Sequence, residues 1–75
     1  MNKEILTTME REIWVILLRY MADNFFAPTR TELAEKLSDK KNRYSPQIVQ
    51  YYLKGLERKG YIKINPLKKR GIVIT

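Results

Sequence analysis

A mostly helical α+β fold, three helices followed by a two-stranded β-hairpin, is what this 75-residue sequence predicts. Three observations lead to it. Two capping-box spacings and a Ser-Pro opening mark three helix starts, apolar residues recur at helical spacing behind each start, and after Gly60 the period switches to strict alternation. The chain reads as one domain, residues 1–75, and a domain this short buries only roughly 60% of the surface its unfolded form exposes.

Thr7 followed by Glu10 has the capping-box spacing, in which the hydroxyl accepts from a first-turn amide and the carboxylate reaches back to the cap. Beyond it Ile13, Leu17, Tyr20 and Asn24 share a face with Ile16, widened by Trp14 and Met21, so the first helix should run from about Thr8 to Asn24. Phe25-Phe26-Ala27-Pro28 breaks it. Thr29 with Glu32 repeats the box ahead of Leu33, Ala34 and Leu37, predicting a short second helix over about 30–37. The polar stretch Ser38–Tyr44 and the N-terminal residues 1–5 are the only flexible candidates.

The third helix is the most fully punctuated. Ser45 can accept from free first-turn amides, Pro46 suits the first helical position, and Gly60 can take the left-handed conformation that ends a helix. Val49, Leu53 and Leu56 form one stripe, while Gln47, Tyr51, Lys54 and Arg58 point the other way with Ile48 and Gln50 flanking. An ordinary solvated face carries Glu and Lys pairs; this one has a single acid, Glu57. After Gly60, Ile62 and Ile64 alternate with Tyr61 and Lys63, and Ile72 and Ile74 with Val73 and Thr75, implying two strands. Between them Asn65-Pro66-Leu67-Lys68-Lys69-Arg70 is a turn-rich loop with three consecutive cations. Three helices and a hairpin in this order make a winged helix-turn-helix, whose third helix enters the major groove while the hairpin, or wing, lies against the backbone or minor groove.

Composition narrows the function. With no Cys and no His, the chain lacks a thiolate nucleophile, an imidazole base, a disulfide staple and the usual zinc ligand set, so no enzyme activity, cofactor or metal is expected. The longest apolar run, Ile13 to Leu18, is far shorter than the roughly 20 residues that span a bilayer, and no signal-peptide pattern opens the chain. A cytoplasmic, nucleoid-associated protein is the expectation. The net charge of +7 is segregated: residues 1–38 hold five basic against six acidic side chains, a net of −1, and residues 39–75 hold ten against two, a net of +8. A basic half built around the third helix is the electrostatic footprint of a polyanion binder.

Four stretches together resemble the DNA-binding domain of LexA-type repressors: Leu6-Thr7 at the first helix, Pro28-Thr29-Arg30-x-Glu32-Leu33-Ala34-x-x-Leu37 over the second, Ser45-Pro46 at the third, and Leu53-Lys54-x-Leu56-x-Arg58-Lys59-Gly60-x-Ile62-x-Ile64 running on to Arg70-Gly71-Ile72. The resemblance implies that residues just after Ser-Pro read bases, which here are Gln47, Ile48, Gln50 and Tyr51. The family uses other side chains there, so a different operator is implied. Full-length members carry a C-terminal domain with a Ser/Lys self-cleavage dyad that also serves dimerisation; a chain ending at Thr75 is expected neither to cleave itself nor to dimerise that way. Two departures stand out. The 38–44 link is longer than the family's and basic, and Val15 and Leu18 are apolar on helix 1 where the family is polar, offering a surface for a homodimer.

Together these features point to a sequence-specific double-stranded DNA-binding regulator of repressor type. Amides of Gln47 and Gln50 suit adenine, Ile48 a thymine methyl, and Tyr51 sits centrally on the reading face. Backbone contacts are assigned to Thr29, Arg30, Lys40, Lys41, Arg43, Ser45, Lys54, Arg58, Lys68, Lys69 and Arg70, with Arg30 beside the N-terminal amides of the second helix. Taken singly, the loop cations read as solvated charge and Arg30 as an exposed arginine in equal measure. Two other classes stay open: a protein-interaction winged helix docking an acidic partner, and a single-strand or RNA binder in which Tyr51 stacks on bases.

Overall fold

The computed structural model describes residues 5–75; residues 1–4, most of the N-terminal stretch expected to be flexible, lie outside the described part. Five elements follow in order: α1 (Thr8–Asn24), α2 (Arg30–Leu37), α3 (Pro46–Arg58), β1 (Ile62–Ile64) and β2 (Ile72–Ile74). Both capping boxes close as the spacings predict, with Thr7 and Thr29 hydroxyls accepting from the Glu10 and Glu32 amides and each glutamate accepting from its threonine's amide. Each helix start is therefore satisfied from within its own first turn, which is why three such starts are legible in one short chain.

The three helices pack against one another and α3 carries β1. Ile13 and Leu17 of α1, Leu33 of α2, Val49, Leu53 and Leu56 of α3 and Ile62 of β1 are almost completely buried and form one core with Ala27, Ala34 and Ile72. Burial of each large aliphatic contributes about 1.5–3 kcal/mol. The strands pair antiparallel with Ile62 opposite Ile74 and Ile64 opposite Ile72, so the isoleucines share the core face and Lys63 pairs with Val73 on the other. Trp14 and Tyr61 close the edge of this core, their rings 5.3 Å apart and edge-on. Tyr52 packs half-buried against it, whereas Tyr20, on the same face of α1 as Ile13 and Leu17, stands at its rim.

Helices α1 and α3 end alike in geometry and unlike in chemistry. Gly60 takes φ 88°, as its position after the helix predicts, while α1 ends on Phe25 at φ 64° with its amide on the Met21 carbonyl. The expected flexibility of 38–44 gives way to local order. Asp39 accepts from the Lys41 and Asn42 amides at 2.9 and 2.7 Å, and the Ser38 hydroxyl donates to the Ala34 carbonyl while accepting from the Tyr44 amide. Side chains that bond their neighbours' backbone organise a loop that composition alone marks as loose.

Candidate nucleic-acid interface

Helix α3 is held by its cap and its buried stripe. The Ser45 hydroxyl accepts from the Ile48 amide at 3.2 Å, and Val49, Leu53 and Leu56 are sealed in the core. That orientation leaves Gln47, Ile48, Tyr51, Lys54 and Arg58 exposed on the opposite face. Tyr51 is 73% exposed and Ile48 43%, although the core lies one helix-width away. The Tyr51 ring meets Tyr52 edge-on at 5.2 Å, which steadies it without covering it. Gln50 is half-buried, and its side-chain amide oxygen Oε1 accepts from the Arg30 guanidinium at 3.4 Å, joining the start of α2 to the face of α3.

Asn65 builds the wing. Its amide donates to the Gly71 carbonyl at 2.8 Å, its side chain accepts from the Leu67 amide at 3.0 Å, and its carbonyl accepts from the Lys68 amide at 3.2 Å. Gly71 completes the closure, since a Cβ there would collide with the Asn65 carbonyl oxygen. The consequence is a wing projecting Leu67, Lys68 and Lys69 into solvent.

Between α3 and the wing lies a cleft whose walls include Arg30, Gln50, Lys54, Lys68 and Lys69. Thr29, Arg30 and Lys69 also line a second notch beside Pro46, where the starts of α2 and α3 approach the wing. These residues, scattered over forty positions of sequence, converge on one basic surface. Others of the expected set stand apart. Lys40 and Arg43 line a separate hollow with Tyr44 and Pro46, while Lys41 and Arg58 are exposed but line neither the cleft nor the notch. The Ser45 and Thr29 oxygens already serve as helix caps.

Arg70, the third cation of the loop, is exposed like its neighbours but paired within the chain. Its guanidinium lies against Glu32, at 2.7 and 3.0 Å for the two oxygens, and also donates to the Ala27 carbonyl and the Tyr20 hydroxyl. The Arg70 hydrogen bonds, with the Thr29 amide, bring the Glu32 carboxyl from 4.5 down to about 2, and the same pairing raises Arg70 above its ordinary value. A second pair went unseen in the sequence. Glu10, buried, accepts from the Lys59 ammonium, whose remaining reach is taken by the Ile5 carbonyl. Burial opposes ionisation of Glu10, but the bonds from Lys59 and the Thr7 amide outweigh it and hold its pKa below the ordinary value. The one signal available was Gly55: a glycine inside a strong helical pattern marks a close approach, and a Cβ there would collide with the Glu10 carboxylate.

Three capped helices, an outward polar face on the third and a basic cleft under a β-wing define a DNA-binding domain of the winged helix-turn-helix class. The chain belongs to the LexA DNA binding domain family, matching it over residues 3–71. LexA repressor 1 of Pseudomonas putida is 42% identical over 69 residues, 92% of this chain and 32% of that protein. The LexA repressor of Pseudomonas aeruginosa is 41% identical over the same length, and that of Desulfatibacillum aliphaticivorans 37% identical over 71 residues. The chain thus spans about a third of the length of the curated relatives it matches. Among the described residues no helix is long and apolar enough to cross a membrane, and no group of acidic side chains is arranged to hold a metal ion.

Proposed function

We propose that residues 1–75 act as one unit, a sequence-specific double-stranded DNA-binding module of a transcriptional repressor, with α3 in the major groove. The observation that carries this reading is the convergence of Arg30, Gln50, Lys54, Lys68 and Lys69 on the cleft between α3 and the wing, beside the exposed Gln47, Ile48 and Tyr51. Duplex backbone entering that cleft meets cations from three elements, and bases meet the amides, Ile48 and Tyr51. Repression is proposed from the relatives' printed name, and a cytoplasmic, nucleoid-associated location follows from the same reading.

Selection of bound duplexes from a random library tests it. Gln47→Ala or Tyr51→Ala should cost about 1–3 kcal/mol on the selected site and much less on random duplex; equal losses on both remove the base-reading assignment. Preference for unpaired strands, or no duplex binding at low salt, would favour the single-strand or protein-interaction reading instead. A homodimer through α1 is supported by Val15 and Leu18, which remain 41% and 40% exposed. It predicts a palindromic site with half-sites about one helical turn apart.

A further inference from the structure

The strands of the wing reach the helices through the buried Ile62 and Ile72 and through the Ile64 amide, which donates to Glu57 Oε2 at 2.8 Å; its loop is tied to them by one guanidinium. Arg70 Nη1 donates to Glu32 Oε1 at 2.7 Å, to the Ala27 carbonyl at 3.0 Å and to the Tyr20 hydroxyl at 3.2 Å, while Nη2 donates to Glu32 Oε2 at 3.0 Å. The Phe26 ring lies 4.7 Å from the guanidinium carbon. One side chain from the base of the wing is thereby gripped by α1, by the α1–α2 corner and by α2. Lys68 and Lys69, its immediate predecessors, have no such partners among the described residues and face the cleft.

Glu32 is shared: the Oε1 atom that receives Arg70 also receives the Thr29 amide at 2.8 Å and so closes the cap of α2. That cap sits beside the notch lined by Thr29, Arg30 and Lys69. A two-stranded hairpin of three-residue strands has little stability of its own. Its loop needs an anchor if its tip is to hold one position, and a bidentate arginine fixes orientation as well as distance.

We infer that Arg70 is a positioning residue for DNA binding: it clamps the wing base to the first turn of α2, setting where Lys68 and Lys69 stand relative to α3, without itself contacting DNA. The inference rests on the DNA-binding reading above and adds to it a device for presenting the wing. Preorganisation is its physical effect, because a wing already held in place loses less freedom when phosphate arrives. The clamp also neutralises the Glu32 carboxylate, which would otherwise repel phosphate at the notch.

Affinity for a duplex selected by the wild-type chain should be measured for Arg70→Gln, Glu32→Gln, the Lys68→Ala/Lys69→Ala pair, and Arg70→Gln combined with that pair. If the docked fraction of the wing falls to about a fifth, Kd rises about fivefold for Arg70→Gln, and Glu32→Gln should weaken binding in the same direction. Glutamine at position 32 keeps the helix cap, so the loss reports the clamp. With Lys68 and Lys69 already replaced by alanine, Arg70→Gln should cost little more, because a wing without its lysines loses no phosphate contact by undocking. A phosphate-contacting Arg70 predicts the opposite sign for Glu32→Gln, since releasing the guanidinium would tighten binding. A merely structural Arg70 predicts additive losses with the lysines; either result overturns the inference.

Backbone relaxation of the free chain gives a reading that does not depend on DNA. Arg70→Gln should lower order parameters over residues 65–71 from about 0.85 toward 0.6 with α1–α3 unchanged, and an unchanged wing would sink the clamp. Failure of the wild-type chain to bind any duplex would remove the DNA reading, and the relaxation result would still decide whether Arg70 holds the wing.

Discussion

Thr7 with Glu10 and Thr29 with Glu32 close the same capping box at the starts of α1 and α2, yet the first glutamate is buried against Lys59 and the second stands near the surface against Arg70. Locally the two are interchangeable. What separates them is what the fold brings from far along the chain. The end of α3 delivers Lys59 to a dry site beneath Gly55, whereas the base of the wing delivers Arg70 to a site open to water. The first pair ties α1 to α3 and serves the core; the second ties α2 to the wing beside the basic cleft. A short motif can specify a helix start twice while leaving its tertiary use to distant residues.

The sharpest way to break this comparison is to remove one member of the buried pair. Lys59→Met leaves the Glu10 carboxylate without its cation and should cost about 3 kcal/mol in urea unfolding, because an uncompensated buried charge is expensive. A loss no larger than that of an exposed pair, below about 1 kcal/mol, would mean that water reaches Glu10 and that the two sites do not differ.

Gly55 offers a test by sign. Gly55→Ala should destabilise by about 1–2 kcal/mol, the overpacking against Glu10 exceeding the usual helix gain. In a Glu10→Ala background the same change should stabilise by about 0.5–1 kcal/mol, the ordinary advantage of alanine in a helix. Destabilisation in both backgrounds would show that something other than the carboxylate requires glycine.

Acid distinguishes the exposed pair. Glu32 has its folded pKa lowered from 4.5 to about 2, so its contribution is fully present above about pH 4.5 and is lost as pH falls toward 2. Glu32→Gln should therefore flatten the dependence of stability on pH across that window while leaving the contribution of Glu10, also lowered, in place. Identical pH profiles for the variant and wild type would remove Glu32 from the acid transition.

The smallest effect is expected where α1 ends. Phe25 holds φ 64° and is 93% exposed, so its ring gains little burial in return for a left-handed backbone. Phe25→Gly should stabilise by about 0.5–1 kcal/mol, the relief of a non-glycine left-handed residue less the added freedom of the unfolded chain. Gly60→Ala, at the matching end of α3, should destabilise for the same reason in reverse.

Elements with a local chemical signature were legible. The bounds of α1 and α2 follow from two capping boxes and a Phe-Phe-Ala-Pro break, α3 from Ser45, Pro46 and Gly60, and the strands from four alternating isoleucines. The outward face of α3 followed from periodicity alone, because burying Val49, Leu53 and Leu56 fixes what lies opposite. Local order in 38–44 is not legible in the sequence, since Ser38, Asp39 and Tyr44 act through hydrogen bonds that hydropathy does not register. The three wing cations look equivalent in the sequence because adjacency carries no information on which of them meets a carboxylate.

By itself, then, the sequence determined the number, type and limits of the elements, the family, and a basic half centred on α3, since each depends on spacing and composition over a few neighbouring residues. Tertiary structure decided which charges are spent inside the molecule and which remain outside. Glu10 with Lys59 and Glu32 with Arg70 are separated by 49 and 38 positions, and only the packing of α1 on α3 and of the wing on α2 brings them within reach. Electrostatic attraction depends on distance and on the surrounding dielectric, and neither is written in the order of the residues.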